Sequence, residues 1–293
     1  MKPRFQIITV VKDDPKGLYR TLNSIQSQLV EDVHLEILVV IGDSSPSSLH
    51  VTTEFQNLMI DTISRPPRGV YNAMNEGLRS LTNKLDSSTP VLFLNAGDFL
   101  IDRSAISKLS AASSIKPLTS SLAAMIDTCK FPMFNIPDII VGQGKFEMHP
   151  LKFWFPHQGF VARWQVFETI GFFDENFRVA GDYDWIYRAI NEFGLPTQID
   201  SPLVAQIIGG LSNIRSYSGY RERQRIAKRE NLLKLSLPLP LVCKMYLKEW
   251  LFDHARKLFE LLGSEVSTEI PMTKHFHENP STPCPWCQYF NFN

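Results

Sequence analysis

The amino-acid sequence predicts an α/β fold with a mostly parallel central sheet, helices on both faces of that sheet, and a helical extension at the C-terminus. Segments with β-type and α-type patterns alternate through the first half of the chain, as they do where helices connect parallel strands. The strand-like segments are continuous apolar runs, which are typical of strands buried on both faces. Of the 293 residues, 44% are hydrophobic and 20% charged, a composition that excludes a disordered chain.

The individual elements follow from hydrophobic spacing. The apolar runs 5–11 and 35–41 predict the first two strands, and apolar residues at helical spacing between 18 and 29 predict a helix between them. The later predicted strands are 60–64, 91–94, 122–127, 160–161 and 203–208. The later predicted helices are a weak one near 49–58, one that begins after Gly69, a Ser/Ala-rich helix after 104, and the helices 164–170 and 182–193.

Charge and composition exclude several functional classes. The chain has 30 Lys+Arg and 30 Asp+Glu, and a net charge of zero argues against nucleic acid as the main ligand. No apolar run approaches the roughly 18 residues of a membrane-spanning helix. The first strand begins almost at Met1, so we expect no secretory leader. Four cysteines do not make a disulfide framework, and we expect a cytoplasmic protein.

The C-terminal third differs in character from the rest. We expect an α/β domain over 1–213, a basic amphipathic helical extension over 214–263, and a flexible tail over 264–293. Between 215 and 260, 11 basic residues oppose 5 acidic ones, a surplus of +6. Apolar residues around Trp250 recur at helical spacing, so the extension either lies on a membrane surface or packs on the α/β domain. In the tail, His275, His277, Cys284 and Cys287 form either a zinc knuckle or an inert segment.

Three polar segments are candidates for chemistry. Asp98 closes the turn after strand 91–94, where it can bind a divalent cation or simply serve the turn. Asp182 begins a predicted helix, where it can act as a general base or cap the helix. Asp184 lies two positions further and points in another direction. The pair His157 and Gln158 can bind a sugar or phosphate, or be buried structural groups.

Taken in order, these segments resemble family 2 glycosyltransferases with the GT-A fold. The strand 8–14 followed by the helix segment 22–28 is similar to that family's opening, and 69–77 is similar to the "GIYDAMNKG" segment of a bacterial surface-glycan (WcaA-like) subgroup. Leu94-Asn95-Ala96-Gly97-Asp98 occupies the place of the DXD metal motif. His157-Gln158, Gly171-Phe172-Phe173-Asp174 and Gly181-Asp182-Tyr183-Asp184-Trp185 with Arg188 match the acceptor-side half of the family's pattern.

The resemblance implies a role for each matching residue. Thr9, Val11, Asp43 and Asn95 are expected at the nucleotide of a sugar-nucleotide donor, with a UDP-sugar favoured. Asp98 is expected to hold Mn²⁺ or Mg²⁺, and Asp182 to deprotonate an acceptor hydroxyl with inversion at the anomeric carbon. Tyr71, His157, Gln158, Asp184 and Arg188 are expected to contact the donor sugar or the acceptor.

The resemblance also implies a biological setting. The acceptor is expected to be a saccharide or a lipid-linked glycan in the assembly of cell-surface polysaccharide or glycolipid, with the enzyme on the inner face of the membrane. The chain lacks the "QxxRW" motif of processive synthases near 206–213, which favours transfer of a single sugar.

Two alternatives stay open. A sugar-1-phosphate nucleotidyltransferase uses a related sheet but should carry a Gly-rich, Arg-containing loop after the first strand, where this chain has Lys12-Asp13-Asp14-Pro15. A non-catalytic sugar-nucleotide-binding homologue should have lost Asp98 or Asp182, and both residues are present.

Overall fold

A computed structural model describes residues 2–44, 46–66, 68–127, 138–142, 155–208, 216–231 and 239–261. Its strands are β1 (Arg4–Val11), β2 (His34–Ile41), β3 (Ile60–Ser64), β4 (Pro90–Phe93), β5 (Phe99–Leu100), β6 (Leu118–Asp127), β7 (Asp138–Gly142), β8 (Phe160–Arg163) and β9 (Thr197–Ile208). Its helices are α1 (Pro15–Gln26), α2 (Ser47–Thr52), α3 (Val70–Leu81), α4 (Ala105–Ser113), α5 (Trp164–Ile170), α6 (Gly181–Phe193), α7 (Ser216–Arg229) and α8 (Leu239–Leu261). A 3₁₀ turn, His157–Gly159, precedes β8.

The strands form one sheet with the order β3-β2-β1-β4-β8-β6-β9-β5, and β7 pairs with β6. The pairs β1–β2, β2–β3, β1–β4 and β6–β9 are parallel, whereas β8 is antiparallel to both β4 and β6. Within the described residues, six of the nine strands therefore run in one direction, and β5, β7 and β8 run in the other. The predicted mostly parallel α/β sheet is confirmed.

Helices cover both faces of this sheet because the side chains of β1 alternate between two hydrophobic layers. Ile8 and Val10 belong to a layer that includes apolar residues of α3, α5 and α6. Phe5, Ile7 and Val11 belong to a second layer with residues of α1 and α4. Every residue of β1 after Arg4 is buried, including the polar residues Gln6 and Thr9, as expected of a strand inside a sheet that is covered on both faces.

The middle of the chain departs most from the sequence prediction. β6 begins at Leu118 rather than near 122, and β9 begins at Thr197 rather than 203. After Leu118, β6 continues with three polar residues, Thr119, Ser120 and Ser121, and all three are buried. A strand of buried Ser and Thr carries no hydrophobic pattern, which is why the periodicity missed it. The short strands β5 and β7 were not predicted either.

The C-terminal extension consists of α7 and α8, both within the predicted range 214–263. None of the helices in the described ranges has both the length and the apolar character needed to cross a membrane. The predicted tail 264–293 and the four His and Cys residues of the zinc-knuckle hypothesis lie outside the described residues.

Candidate active site

The loops after β1 and β2 meet at the carboxyl edge of the sheet, where open α/β folds bind ligands. The backbone N–H of Asp13 donates to Asp43 Oδ1 at 2.6 Å, and the N–H of Ser44 donates to Asp13 Oδ1 at 3.0 Å. Asp43 Oδ2 also accepts from the N–H of Ser48, in the first turn of α2, at 3.0 Å. Asp43 therefore lies at the expected edge, and it holds the two loops together.

Thr9 and Val11 do not present side chains to this edge. Both are buried in β1, on the face that packs against α1, because they alternate with Ile8 and Val10 on the opposite face. Thr9 Oγ1 has no hydrogen-bond partner among the described residues. The expected contact of these two side chains with a nucleotide is thus corrected: their packing supports the strand end, and the exposed groups belong to the neighbouring loops.

The turn after β4 is held by a threonine of α1 that the sequence analysis did not single out. Thr21 is fully buried. Its hydroxyl donates to the carbonyl oxygen of Asp98 at 2.7 Å and accepts from the N–H of Gly97 at 3.1 Å. Gly97 has a φ of 97°, which favours glycine. Thr21 is a polar residue among apolar residues at helical spacing, and this pattern could have identified it from the sequence.

Asp98 is a buried carboxyl group in this turn, only 9% exposed. Burial raises the pKa of Asp98 to about 7, although the nearby His157 and a hydrogen bond with Gln158 oppose that rise. Two amide oxygens of neighbouring residues, Asn95 Oδ1 and Gln158 Oε1, are also buried and have no hydrogen-bond partner in the described part of the chain. Buried acceptors without partners are rare and call for a ligand or a solvent molecule.

These groups fit a hard divalent cation, because Mg²⁺ and Mn²⁺ prefer oxygen ligands and are commonly held by one or two carboxylates plus substrate phosphates. Asp98 supplies a carboxylate, and Asn95 and Gln158 supply amide oxygens. Among the described residues, no group of three His, Cys, Asp or Glu side chains is arranged to hold a metal ion by itself. A cation here would therefore need further oxygen atoms, such as those of a diphosphate.

Asp182 lies at the start of α6 and is surrounded by hydrogen-bond donors. His157 Nδ1 is 3.0 Å from Asp182 Oδ2. The Tyr71 hydroxyl and the N–H of Tyr183 donate to Oδ1 at 2.9 and 2.8 Å. Burial alone would raise the pKa of Asp182, but the hydrogen bond and charge of His157 and the two other donors outweigh it and leave that pKa below its ordinary value. The side chain is still 26% exposed, so Asp182 is an ionised carboxylate within reach of a ligand.

His157 joins the two acidic groups. Burial lowers its pKa, but the hydrogen bond and charge of Asp182 and the charge of Asp98 outweigh burial and leave the pKa of His157 raised. On its other side, His157 Nε2 lies 3.3 Å from Asn95 Nδ2. Behind His157 and Asp182 is a small apolar cavity of about 20 Å³ lined by aromatic and aliphatic side chains such as Phe173 and Trp185. The structure thus brings Asn95, Asp98, His157, Gln158, Asp182 and Tyr71 together.

Helix α3 positions the segment that carries Asp182. Asn75 is buried and pairs with the backbone of Phe173, accepting from its N–H at 3.0 Å and donating to its carbonyl at 2.9 Å. One turn earlier on α3, Tyr71 packs against Gly181, where an added Cβ would lie 2.7 Å from the Tyr71 ring. The residues 69–77 therefore form a helix whose inner face supports the approach to Asp182.

Asp184 and Arg188 are not part of this cluster. The Asp184 side chain is 0% exposed and pairs with Arg188 Nε at 3.0 Å and with Arg229 of α7. Arg188 also donates to the carbonyl oxygens of Ile170 and Phe172. The expected contact of Asp184 and Arg188 with sugar or acceptor is corrected, because both side chains are used in packing α6 against α5 and α7.

A second residue that the sequence analysis missed is Glu222 of α7. Its buried carboxylate accepts hydrogen bonds from the N–H groups of Arg178, Val179 and Ala180 at 2.9, 2.9 and 2.8 Å. These three residues directly precede α6. No sequence signal identified Glu222, because its partners lie 42 to 44 residues earlier in the chain.

Several known proteins are similar to this chain in sequence. Residues 6–113 match the family model described as glycosyl transferase family 2. A PGL/p-HBAD biosynthesis glycosyltransferase of Mycobacterium tuberculosis is 28% identical over 226 residues, which cover 72% of this chain and 80% of that protein. The protein is a glycosyltransferase. The family match includes Asn95 and Asp98, whereas His157 and Asp182 of this glycosyltransferase lie beyond it.

Solved structures confirm the GT-A fold of this glycosyltransferase. TarS of S. aureus is similar with a TM-score of 0.57 at 15% identity, over 85% of this chain and 43% of the TarS chain, so our chain spans less than half of the full TarS length. The mannosyltransferase PcManGT of Pyrobaculum calidifontis, solved with GDP-Man and Mn²⁺, is similar with a TM-score of 0.54 at 14% identity, over 86% of this chain and 70% of that protein.

Proposed function

We propose that this glycosyltransferase moves a single sugar from a nucleoside-diphosphate sugar to an acceptor hydroxyl, with inversion at the anomeric carbon. The observation that carries the proposal is the placement of Asp182, an ionised and partly exposed carboxylate, in one network with the Asp98 turn at the carboxyl edge of the sheet. A base on one side and a diphosphate-binding turn on the other are what a direct displacement requires.

In this mechanism, Asp182 accepts the proton of the acceptor hydroxyl while the acceptor oxygen forms a bond to the anomeric carbon. The bond between that carbon and the diphosphate oxygen breaks, and its electron pair leaves with the nucleoside diphosphate. The displaced group departs from the face opposite the attack, which inverts the configuration. Tyr71 and His157 hold the Asp182 carboxylate in one orientation, so that no reorientation is needed when the hydroxyl arrives.

Asp98, Asn95 and Gln158 would hold Mn²⁺ or Mg²⁺ together with the donor diphosphate. When bound, such a cation stabilises the negative charge that develops on the leaving diphosphate. The support for this assignment from the chain itself is the set of buried oxygen atoms without partners around Asp98. Among proteins of similar fold, PcManGT was solved with Mn²⁺.

We favour a UDP-sugar as the donor and a surface glycan or glycolipid as the product. TarS residues 1–349 have been solved with UDP and with UDP-GlcNAc, and the M. tuberculosis relative is named for PGL/p-HBAD biosynthesis. The acceptor we propose is accordingly a saccharide or a lipid-linked glycan, as in the bacterial surface-glycan subgroup that 69–77 resembles.

A donor screen by thermal shift tests the proposal. We expect a UDP-sugar to raise the melting temperature in the presence of Mn²⁺, because a ligand at about 100 times its Kd stabilises the folded state by about 2.7 kcal/mol. GDP- and dTDP-sugars serve as comparisons, and the same donors without Mn²⁺ test the cation. The absence of stabilisation by every sugar nucleotide would contradict the proposal. Release of pyrophosphate from a nucleoside triphosphate and a sugar phosphate would instead favour a nucleotidyltransferase.

Asp182→Asn tests the base assignment directly. We expect the transfer rate to fall by about 10²- to 10⁴-fold, the usual contribution of a positioned general base, while donor binding stays nearly unchanged. The measurement is kcat for sugar transfer together with the donor-dependent thermal shift. Asp61→Asn, an exposed carboxylate of β3, is the control and should retain wild-type turnover. Undiminished transfer by Asp182→Asn would remove Asp182 from the mechanism.

We further propose that α8 rests on an anionic membrane surface at the inner face of the cell membrane. Its large apolar side chains Tyr246, Leu247, Trp250 and Leu251 are exposed. Tyr246 stacks edge-on with Tyr217 of α7, whose ring lies under the exposed Arg221. An apolar helix face that carries a Trp and adjoins cations is typical of helices that lie in a membrane interface.

Flotation with lipid vesicles tests this contact. We expect the protein to float with vesicles rich in phosphatidylglycerol and much less with pure phosphatidylcholine. Leu247→Glu with Leu251→Glu should abolish flotation, whereas Ile115→Glu, at an even more exposed apolar position outside α8, should not. Full retention of the wild-type protein in solution would contradict the membrane contact.

A further inference from the structure

Three consecutive backbone N–H groups before α6 converge on one carboxylate of α7. Glu222 Oε1 accepts from Arg178, and Oε2 accepts from both Val179 and Ala180. Glu222 is only 6% exposed; its bond to Ala180 is buried, and its bonds to Arg178 and Val179 are partly buried. Without Glu222 the buried N–H of Ala180 would lose its acceptor, which is costly for a buried polar group. The conformation of residues 178–180 therefore depends on α7.

The segment that Glu222 holds is the same segment that supports the Asp182 carboxylate. The Tyr71 hydroxyl lies 2.9 Å from the carbonyl oxygen of Val179 and also 2.9 Å from Asp182 Oδ1. Val179 thus donates its N–H to Glu222, and its carbonyl oxygen shares the one hydroxyl proton of Tyr71 with Asp182 Oδ1. A shift of Val179 would move one of the two acceptors that fix the Tyr71 hydroxyl, and with it the geometry around Asp182.

Two further contacts tie α7 to the same place. Arg229 pairs with the buried Asp184, in the first turn of α6. Gly219 lies against Val179, where an added Cβ would be 3.1 Å from Val179 Cγ1. Helix α7 therefore contacts the chain both before and after Asp182, and an added methyl group at Gly219 would be in tight contact with Val179.

We propose that Glu222 is a positioning residue for Asp182, and that α7 belongs to the catalytic unit of the enzyme. Under this proposal, the boundary expected between residues 213 and 214 does not divide the catalytic part of the enzyme from a part with a separate function. This inference rests on the proposed role of Asp182 as the base. Glu222 itself touches no reacting atom; it acts through the backbone of 178–180 and through Tyr71.

The test is the effect of Glu222→Ala and Glu222→Gln on kcat, with KM for the donor and the folded fraction measured alongside. We expect Glu222→Ala to lower kcat of the folded protein by about 10- to 100-fold, because displacement of a catalytic group by about 1 Å has an effect of this size. KM for the donor should stay within about twofold. Glu222→Gln keeps the volume but places an amide NH₂ against at least one N–H donor, so it should lie between Glu222→Ala and the wild type.

A matched control separates positioning from simple stabilisation. Glu249 of α8 is a buried carboxylate of the same C-terminal segment, and it accepts from the N–H of Ser218 at 3.0 Å and from the Ser218 hydroxyl. These contacts join α8 to α7 without reaching 178–180. Glu249→Ala should lower the melting temperature yet leave kcat of the folded protein unchanged.

The same measurements distinguish a failure of the positioning role of Glu222 from a failure of the base role of Asp182. Wild-type kcat in folded Glu222→Ala, beside an inactive Asp182→Asn, would overturn the positioning role alone. Activity in Asp182→Asn would instead remove the base assignment on which it rests. If Glu222→Ala does not fold, Glu222→Gln decides by the same measurements: lower kcat at unchanged KM supports the proposal, and wild-type kcat overturns it.

Discussion

Two aspartates of the candidate site have their pKa values shifted in opposite directions by their surroundings. Burial raises the pKa of Asp98 to about 7. For Asp182, the hydrogen bonds from His157, Tyr71 and the backbone of Tyr183 outweigh burial and lower the pKa. Such a divergence between neighbouring carboxyl groups is typical of sites in which each has a separate task. It fits a proton acceptor at Asp182 and, at Asp98, a carboxyl group whose ionisation a bound cation would favour.

The raised pKa of Asp98 predicts a pH-dependent effect of Asp98→Asn on stability. Between about pH 4 and pH 7 the native protein keeps a proton that the unfolded chain, with a pKa of 3.8, has released, so ionisation of Asp98 destabilises the fold as the pH rises. Asn stays neutral. We expect Asp98→Asn to be more stable than the wild type at pH 8 by up to about 4 kcal/mol, and to gain less at pH 5. Thermal unfolding at both pH values measures this.

The control for Asp98→Asn is Asp200→Asn, at an exposed carboxylate of β9, which measures the effect of the same substitution away from the site. Mn²⁺ with a donor should stabilise the wild type and not Asp98→Asn. A gain in stability that is equal at pH 5 and pH 8 would contradict the raised pKa of Asp98.

Tyr71→Phe tests the donors around Asp182. Burial and the charge of Asp182 hold the pKa of Tyr71 well above 10.0, so its hydroxyl remains a donor over the working pH range. Removing that donor should raise the pKa of Asp182, and the acidic limb of the kcat–pH profile should move to higher pH by about one unit. Tyr19→Phe, at an exposed tyrosine, is the control. An unshifted acidic limb would show that the hydrogen bond does not control this ionisation.

At the scale of elements, α1 holds the turn that carries Asp98. Thr21→Val keeps the shape of the side chain but removes the hydroxyl that bonds Asp98 and Gly97. We expect a loss of about 1–3 kcal/mol in the free energy of unfolding, because buried partners are left unsatisfied, and weaker Mn²⁺-dependent donor binding. Denaturant unfolding and donor titration measure the two effects.

Thr169→Val is the matched control for Thr21→Val. The Thr169 hydroxyl donates only to the carbonyl of Gln165 within α5, at 2.8 Å, and its loss should leave donor binding unchanged. Equal donor affinity in Thr21→Val and the wild type would show that the turn keeps its shape without Thr21.

The elements differ in how far the sequence determines them. Apolar runs predicted β1 and β2 to within one residue, because each is dominated by its own hydrophobic pattern. The bounds predicted for β3 also agree with the structure. The polar start of β6 was missed because its burial depends on β8 and β9, which pair with it from distant parts of the chain. Local pattern contains no information on such partners.

The residues of the candidate site also differ in how far the sequence identifies them. Asp98, Asp182 and the pair His157 and Gln158 were found because they stand in recognisable motifs. Thr21 and Glu222 were not, because what defines them is a partner 77 or 42 to 44 residues away. Asp184 differs from both groups. Its position in a motif suggested contact with a ligand, but in the structure its carboxylate pairs with two arginines.

At the scale of the whole molecule, the strands of the sheet differ in how far they are exposed to water. β1 lies inside the sheet, between β2 and β4, and is buried throughout after Arg4. β3 lies at the end of the strand order, and three of its five residues are exposed. Local opening should therefore be easy at β3 and should require global unfolding at β1.

Amide hydrogen exchange checks this difference. We expect the amides of β1 to exchange at least about 100-fold more slowly than those of β3, and only β1 exchange to follow the global free energy of unfolding in denaturant. Equal exchange rates in the two strands would contradict the central position of β1.

The bond between Glu222 and the segment 178–180 also has a consequence for biosynthesis. Chains emerge from the ribosome N-terminus first, so the N–H groups of 178–180 are made well before the carboxylate that accepts from them. The nascent polypeptide can assemble the sheet and the Asp98 turn early, but the approach to Asp182 reaches its final conformation only after α7 has been synthesised. A chain that ended ahead of α7 would lack the carboxylate that accepts from 178–180, and under the positioning role proposed for Glu222 we expect it to transfer sugar poorly.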